Sequence, residues 1–240
     1  MCGRMTQATD PAEVARIFDA DPRVDEAAGG VTAPRYNVAP TDPLTVVLQR
    51  AEEGRVVEQH RWGLIPSFAT SAKTGARMIN ARAETVATSP AFRASFRSRR
   101  CIVPSDGFYE WRRTGGPRQP FFLHPPPGAV LAMAGLWAVW KDPETGLWVP
   151  SAAVITTAAN RLVSSIHDRM PVLLPREAWD DWLDTDVKEL AYLHSLLGPP
   201  PDDVLAMHPV SIRVNSVRND GPDLIAPVEE VESPPLPLES

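Results

Sequence analysis

The chain has 240 residues, 43% of them hydrophobic, with a formal net charge of −6 and a pI near 5.4. Its two cysteines, Cys2 and Cys101, exclude a disulfide framework, and no Cys/His cluster has zinc spacing. No stretch approaches the roughly 18 apolar residues of a membrane span, and Asp10, Glu13 and Asp19 come too early for a secretory leader. The expectation is one soluble cytoplasmic domain over 1–228 with a disordered tail at 229–240.

An acidic chain argues against nucleic acid, but the charge is unevenly spread. Between Gly75 and Arg118 nine arginines face three carboxylates, whereas from Glu177 to Ser240 fourteen acids face three bases. The middle is basic and the end acidic. An arginine run reads equally well as a solvated face.

Pro11 to Asp19 predicts an amphipathic helix with Asp10 as N-cap and Pro11 at its first position. Residues 20–34 read as a surface loop. Leu44–Gln49 and Val56–Trp62, separated by Glu-Glu-Gly, predict a hairpin. Gly63 to Ala76 is a loop, Ile79 to Thr85 is extended, and Ser89 caps an expected helix over Pro90–Arg97. Cys101–Pro104, Gly107–Trp111, Pro120–Leu123, Val130–Trp140 and Trp148–Thr156 read as strands. Helices are expected at Asn160–Ile166, Pro175–Leu183 and Val187–Leu196, and Val210–Val214 as a closing strand. The sum is α+β: a mostly antiparallel, barrel-like β-sheet core with peripheral helices.

The first four residues, Met1-Cys2-Gly3-Arg4, stand out chemically. Removal of Met1 would leave Cys2 with an α-amine of pKa about 7.7–8.0 beside a thiol near about 8.5. Such a 1,2-aminothiol condenses with an aldehyde to an imine, and its sulfur then closes a thiazolidine ring. The plainer reading is that the cysteine is an accident of the start.

Other polar residues lie in apolar surroundings. Glu110, in Gly-Phe-Tyr-Glu-Trp, either faces water on an edge strand or is partly desolvated and suited to general acid–base work. His167 is either a proton shuttle or a hydrogen-bonded structural histidine. Asn80 and Arg82 would project from one face of an extended segment, fit for phosphate or base contact. Asn37 could equally form a turn. Pro66 and Phe68 suit an exposed apolar wedge, with ordinary core as the alternative for Phe68. His208, in Met-His-Pro-Val-Ser, is a weaker candidate, and Cys101 reads as an inert buried thiol.

Nine stretches in order resemble the SRAP family, the SOS response-associated peptidase-like proteins. They are Met-Cys-Gly-Arg at 1–4, Arg-Tyr-Asn-Val-Ala-Pro-Thr at 35–41, Trp-Gly-Leu-Ile-Pro at 62–66, Ile-Asn-Ala-Arg-Ala-Glu-Thr at 79–85 and Asp-Gly-Phe-Tyr-Glu-Trp at 106–111. Gln-Pro-Phe-Phe at 119–122, Ile-Thr-Thr-Ala-Ala-Asn at 155–160, Ile-His-Asp-Arg-Met-Pro-Val at 166–172 and His-Pro-Val-Ser at 208–211 follow. The resemblance implies a sensor of abasic sites in single-stranded DNA that couples its N-terminal cysteine to the ring-opened sugar as a thiazolidine. It implies catalytic roles for Cys2, Asn80, Glu110 and His167. It implies a DNA-binding cleft of Arg4, Asn37, Pro40, Arg82, Thr156 and Arg169, with Pro66 and Phe68 as the wedge, and His208 is a further DNA-binding candidate. Some relatives carry tryptophans in that wedge, where this chain has Ser67-Phe68-Ala69. No cofactor or metal, no membrane and a monomer are expected, with nucleoid association when DNA is bound.

Three other readings compete. Cys2, His167 and Glu110 could form a thiol autopeptidase that cleaves the Met1-Cys2 bond or other peptides. An N-terminal-nucleophile amidotransferase also begins Met-Cys-Gly, but continues with an apolar strand where this chain has Arg4 and a polar stretch. A non-catalytic DNA-binding module would bind without Cys2.

Overall fold

The computed structural model describes residues 2–22, 33–112 and 118–230. Most of the expected loop at 20–34 and residues 231–240 of the expected tail lie outside them. In chain order the elements begin with β1 (Met5–Gln7), α1 (Pro11–Phe18), β2 (Asp21–Pro22), β3 (Arg35–Val38), β4 (Pro43–Arg50), β5 (Gly54–Trp62) and β6 (Asn80–Arg82). Then come α2 (Arg93–Ser98), β7 (Arg100–Ser105), β8 (Gly107–Arg112), β9 (Gln119–His124), β10 (Leu131–Lys141) and β11 (Trp148–Ala158). The last are α3 (Arg161–Ser164), β12 (Arg169–Pro171), α4 (Trp179–Leu183), α5 (Leu190–Ser195) and β13 (Ala206–Pro209).

Long β-rich runs with tight turns let β4, β5, β7, β10 and β11 pair in a ring. Four junctions are antiparallel, and a parallel β5–β11 contact at Arg61 and Trp62 closes the barrel. Alternation divides its wall. Leu44, Val46, Leu48, Val56, Trp62, Cys101, Val103, Met133, Ala152 and Val154 fill the interior. Val47, Val57, Ile102, Leu136, Ala153 and Ile155 face outward under Phe18, Phe96, Trp179 and Trp182 from the helices. The second sheet runs β13-β9-β8-β1-β3 and is antiparallel throughout. It seats β1 between β8 and β3 and carries Cys2 into the cluster that fills the barrel. The α+β, barrel-like expectation holds.

Local chemistry explains α1. Asp10 accepts the Ala12 N–H at 2.8 Å, Pro11 needs no donor, and Val14, Ala15 and Phe18 bury. Asp19 ends it in the left-handed region.

Several helices are shorter than the sequence suggests. The expected Pro90–Arg97 helix begins only at Arg93, after a series of turns, and no side chain caps it, so Ser89 is not its N-cap. Pro175–Leu183 divides into a 3₁₀ turn and α4, although Trp179, Trp182 and Leu183 are buried as their spacing predicts. The closing strand is β13 rather than Val210–Val214: Ser211 Oγ accepts from Arg213 N–H and starts a 3₁₀ turn over Ile212–Asn215.

The basic middle is also less basic at the surface than its arginine count implies. Arg100 is 2% exposed. Its guanidinium donates to the carbonyls of Trp182 (2.7 Å), Arg97 (2.9 Å), Phe96 (3.0 Å), Val187 (3.2 Å) and Asp184. A buried cation is hydrogen-bonded here to backbone carbonyls, and it ties α2 and α4 to the barrel.

Candidate active site

Cys2 is fully buried. Register places it beside β8: Met5 pairs with Phe108, and the Tyr109 N–H donates to the Arg4 carbonyl at 3.0 Å. Burial pushes the Cys2 thiol well above its usual range. The neighbouring Glu110 charge adds to this, and the Arg4 backbone N–H works against it.

Asn80 reaches the same place from β6, which lies parallel to β11 with Asn80 opposite Val154. Its Nδ2 donates to the Cys2 carbonyl at 2.7 Å, and its Oδ1 is buried without a hydrogen-bond partner among the described residues. Glu110 is 2% exposed. Strand alternation turns it and Phe108 toward Cys2, while Tyr109 packs on the other side with Phe122 and Val214. The wet-face alternative for Glu110 therefore fails.

His167 comes from the turn between α3 and β12. Its Nδ1 lies 2.9 Å from the Arg169 backbone nitrogen, whose N–H donates to it when the ring proton is on Nε2. That Nε2 stands 4.0 Å from Glu110 Oε2, within ion-pair reach and beyond a direct hydrogen bond. Asp168 Oδ1 (3.1 Å) and the Arg169 carbonyl (3.2 Å) also face Nδ1, so a protonated ring has acceptors on that side. Four elements distant in sequence thus bring Cys2, Asn80, Glu110 and His167 together. The group offers a thiol, an amide, a carboxylate and an imidazole for proton transfer at a carbonyl carbon.

The expected cleft residues divide. Arg82, Thr156 and Arg169 are neighbours: Arg82 pairs with Thr156 across β6 and β11, and Arg169 Nη2 donates to the Thr156 carbonyl at 2.6 Å. Thr156 is itself buried. Arg4 Nη1 donates to Asn37 Oδ1 (2.7 Å) and the Val214 carbonyl (2.6 Å), with its guanidinium 5.9 Å from the Trp111 ring. Asn37 is fully buried, and its Nδ2 is committed to the carbonyls of Asn219 (2.7 Å), Ser216 (3.0 Å) and Val214 (3.4 Å). It is a hub that holds Arg4 and the 214–219 segment, not a turn former.

Pro40 is half-buried beside Thr41, a β-branched residue held at φ 80° by a 2.9 Å bond from its N–H to the Trp62 carbonyl. Such strain in a non-glycine residue is uncommon, and sequence reasoning missed it.

Of the two residues expected to form a wedge, one is exposed. Phe68 is 64% exposed, whereas Pro66 is buried, because the loop folds back on the barrel. There Gly63 (φ 119°) packs so tightly on Gly75 that a Cβ at Gly63 would lie 2.4 Å from the Gly75 oxygen. The Trp140 indole also donates to the Ala69 carbonyl at 2.8 Å. His208 is two strands away from Glu110, on β13. Its Nε2–H donates to the Ile225 carbonyl at 2.8 Å, and its ring packs on Phe122 and His124. Geometry gives it a packing role and does not bring it to Cys2.

Sequence reasoning also assigned nothing to Glu84. Its carboxylate grips Arg169 through both oxygens, Nη1–Oε1 at 2.5 Å and Nη2–Oε2 at 2.9 Å. An acid two residues beyond Arg82 was the available signal. Among the described residues no group of three His, Cys, Asp or Glu side chains is arranged to hold a metal ion, and no helix is long and apolar enough to cross a membrane.

The family model described as SOS response associated peptidase (SRAP) matches residues 1–217. Abasic site processing protein YoqW of Bacillus subtilis is 39% identical over 94% of this chain and 99% of its own length. Abasic site processing protein YedK of Escherichia coli is 32% identical over 95% and 100%. Abasic site processing protein HMCES of Gallus gallus is 33% identical over 82% of this chain and 67% of its own. Among solved structures, a Bacteroides thetaiotaomicron protein superposes with a TM-score of 0.84 at 26% identity, covering 95% of this chain and all of that one. The chain belongs to the SRAP family.

Proposed function

We propose that this protein processes abasic sites in single-stranded DNA by trapping the ring-opened sugar on Cys2 as a thiazolidine. The observation that carries the reading is the convergence of Cys2, Asn80, Glu110 and His167, the last two 4.0 Å apart. The relatives named as abasic site processing proteins support it.

Removal of Met1 converts the Cys2 amide nitrogen into an amine next to the Glu110 carboxylate. His167, with its proton on Nε2, assists opening of the sugar to the aldehyde. The amine attacks C1′ and water leaves, giving an imine. The Cys2 S–H then adds across the C=N bond, sulfur to carbon and hydrogen to nitrogen, with Glu110 relaying the proton. Atoms balance, and no oxidant or metal is needed. Asn80 holds the Cys2 carbonyl so that amine and thiol face one carbon. Arg4, Arg82 and Arg169 take phosphates on either side, and an abasic nucleotide is cheap to expose because it has no base to unstack.

A thiol peptidase is less well supported. Thiol proteases depend on a depressed thiol pKa, and burial here drives Cys2 the other way. An imine accepts a neutral thiol in the ring closure, so this burial suits aldehyde trapping.

The test incubates Met1-processed protein with single-stranded DNA carrying one abasic site and resolves the products on a denaturing gel. A Cys2-dependent covalent shift is expected, absent with Cys2→Ala and with protein retaining Met1. Equal behaviour of the parent and Cys2→Ala proteins defeats the reading.

A further inference from the structure

We infer that Glu84 is a built-in surrogate for a DNA phosphate, occupying Arg169 until the strand arrives and so setting how tightly and how selectively the cleft binds. This rests on the DNA-binding reading above and names a residue that controls it.

Arg169 is the arginine nearest the catalytic histidine in sequence and also fixes the His167 ring through its backbone N–H. Its side chain is 12% exposed and three of its five N–H donors are engaged. Nη1 and Nη2 each meet one Glu84 oxygen, at 2.5 and 2.9 Å, and Nη2 also donates to the Thr156 carbonyl at 2.6 Å. Nε is buried and has no hydrogen-bond partner among the described residues. A guanidinium has five N–H donors, so the hydrogen left on Nη1 is the one donor that could still meet a phosphate. The forked face that would bind a phosphate through two oxygens is the face Glu84 fills, with the same charge and nearly the same geometry.

Glu84 is suited to leaving. Its side chain is 53% exposed, so its carboxylate can rotate into water at little desolvation cost. Its pKa is held below the usual carboxylate range first by the Arg169 hydrogen bonds, and the charges of Arg169 and Arg82 both contribute. Glu84 therefore lies in the field of two arginines expected to contact phosphate, and the one it occupies by hydrogen bonds is Arg169. A strand that places a phosphate at Arg169 exchanges one anion for another. A strand bound elsewhere on the protein gains nothing from Arg169.

The experiment measures equilibrium binding of an undamaged single-stranded oligonucleotide by fluorescence anisotropy, in a Cys2→Ala background so that no covalent step intervenes. Glu84→Gln keeps the size of the side chain and removes its charge. It is expected to bind roughly three- to tenfold more tightly than the Glu84 protein. Its salt dependence should be steeper than the parent's, because no carboxylate is left to repel the incoming strand and be screened by salt. With Arg169→Ala also present, the gain from Glu84→Gln should shrink to near unity. A melting curve for Glu84→Gln within a few degrees of the parent separates this effect from misfolding.

Weaker or unchanged binding by Glu84→Gln overturns the surrogate role and makes Glu84 a residue that merely positions Arg169. A gain that persists without Arg169 overturns it as well. If the parent protein fails to crosslink abasic DNA through Cys2, the functional reading itself falls, and the role of Glu84 falls with it.

Discussion

Asn80 Nδ2 donates to the Cys2 carbonyl across 2.7 Å and so fastens the first residues of the chain to the floor formed by β6 and β11. A part-buried hydrogen bond of this kind is worth roughly 0.5–1.5 kcal/mol, and losing its donor leaves the Cys2 carbonyl without that partner. The contact lies at the chain start, so its loss should disturb the placement of Cys2 far more than the barrel. Asn80→Ala is expected to slow crosslinking roughly tenfold or more, consistent with loss of a catalytic geometry, while DNA affinity stays within a few-fold of the parent. Time courses at saturating abasic DNA separate rate from binding, and a parent-like rate would remove Asn80 from the mechanism.

The buried Cys2 thiol makes a prediction about pH. Its folded pKa is raised by burial and by Glu110, so native Cys2 stays protonated through neutral and mildly alkaline pH. Alkylation by a neutral thiol reagent at pH 8 should be at least about a hundredfold slower in the native protein than in urea, by mass spectrometry. The sign for stability follows. Above the unfolded thiol pKa, about 8.5, the unfolded chain loses a proton that the folded chain keeps, so stability declines as pH rises through that value. Cys101, raised by burial alone, acts in the same direction. Melting temperature measured from pH 7 to 10 should fall beyond pH 8.5, and less steeply in Cys101→Ala.

Much of this site was legible because strand alternation is a local rule. Glu110 between Tyr109 and Trp111, and Asn80 two residues from Arg82, are placed by alternation alone once the segments are extended. The barrel followed from runs of apolar residues broken by glycine and proline. What was not legible depends on contacts across the chain. Nothing within five residues of Asn37 shows that its amide will meet three carbonyls from 214–219. Nothing near Pro66 shows that Gly63 and Gly75 will press together and bury it. The partner of Arg169 lies 85 positions away, inside the basic middle, so no local reading joins Glu84 to it. Short helices were overread for a related reason: α2 and α4 are held by Phe96, Trp179 and Trp182 packing against the barrel, so tertiary contacts and not propensity set their ends.

Arg100 offers a test of the fold apart from function. Five backbone carbonyls surround its guanidinium, and among the described residues no carboxylate makes an ion pair with it. Burial lowers its pKa from the usual arginine value, and the Asp184 charge partly restores it. Lysine offers three donors from one atom and cannot span carbonyls on both α2 and the 182–187 segment. Arg100→Lys is expected to destabilise by about 2–4 kcal/mol, the range for breaking a buried polar network, as read by urea denaturation. Arg100→Met should cost a comparable amount, because the same carbonyls lose their donor. A loss below about 1 kcal/mol for both would show that water replaces the guanidinium freely.

Under the proposed function, Phe68 tests how a strand would be held beside an abasic site. It stands 64% exposed on a loop that is otherwise well fastened, by the Gly63–Gly75 contact and by the Trp140 indole on the Ala69 carbonyl. An exposed aromatic contributes little to folding, so Phe68→Ala should leave stability within about 0.5 kcal/mol of the parent. A ring held in place loses little freedom when a base stacks on it, and such stacking is worth roughly 1–3 kcal/mol. Phe68→Ala should therefore weaken binding to single-stranded DNA by at least about fivefold. Phe68→Trp should tighten binding, since a larger ring covers more of the base. The effect should not depend on salt, because no charge changes, which separates it from the arginine contacts. Anisotropy titrations at two salt concentrations read both quantities. Parent-like affinity for Phe68→Ala would mean that the exposed ring lies off the DNA path, and the arginines alone would then have to hold the strand.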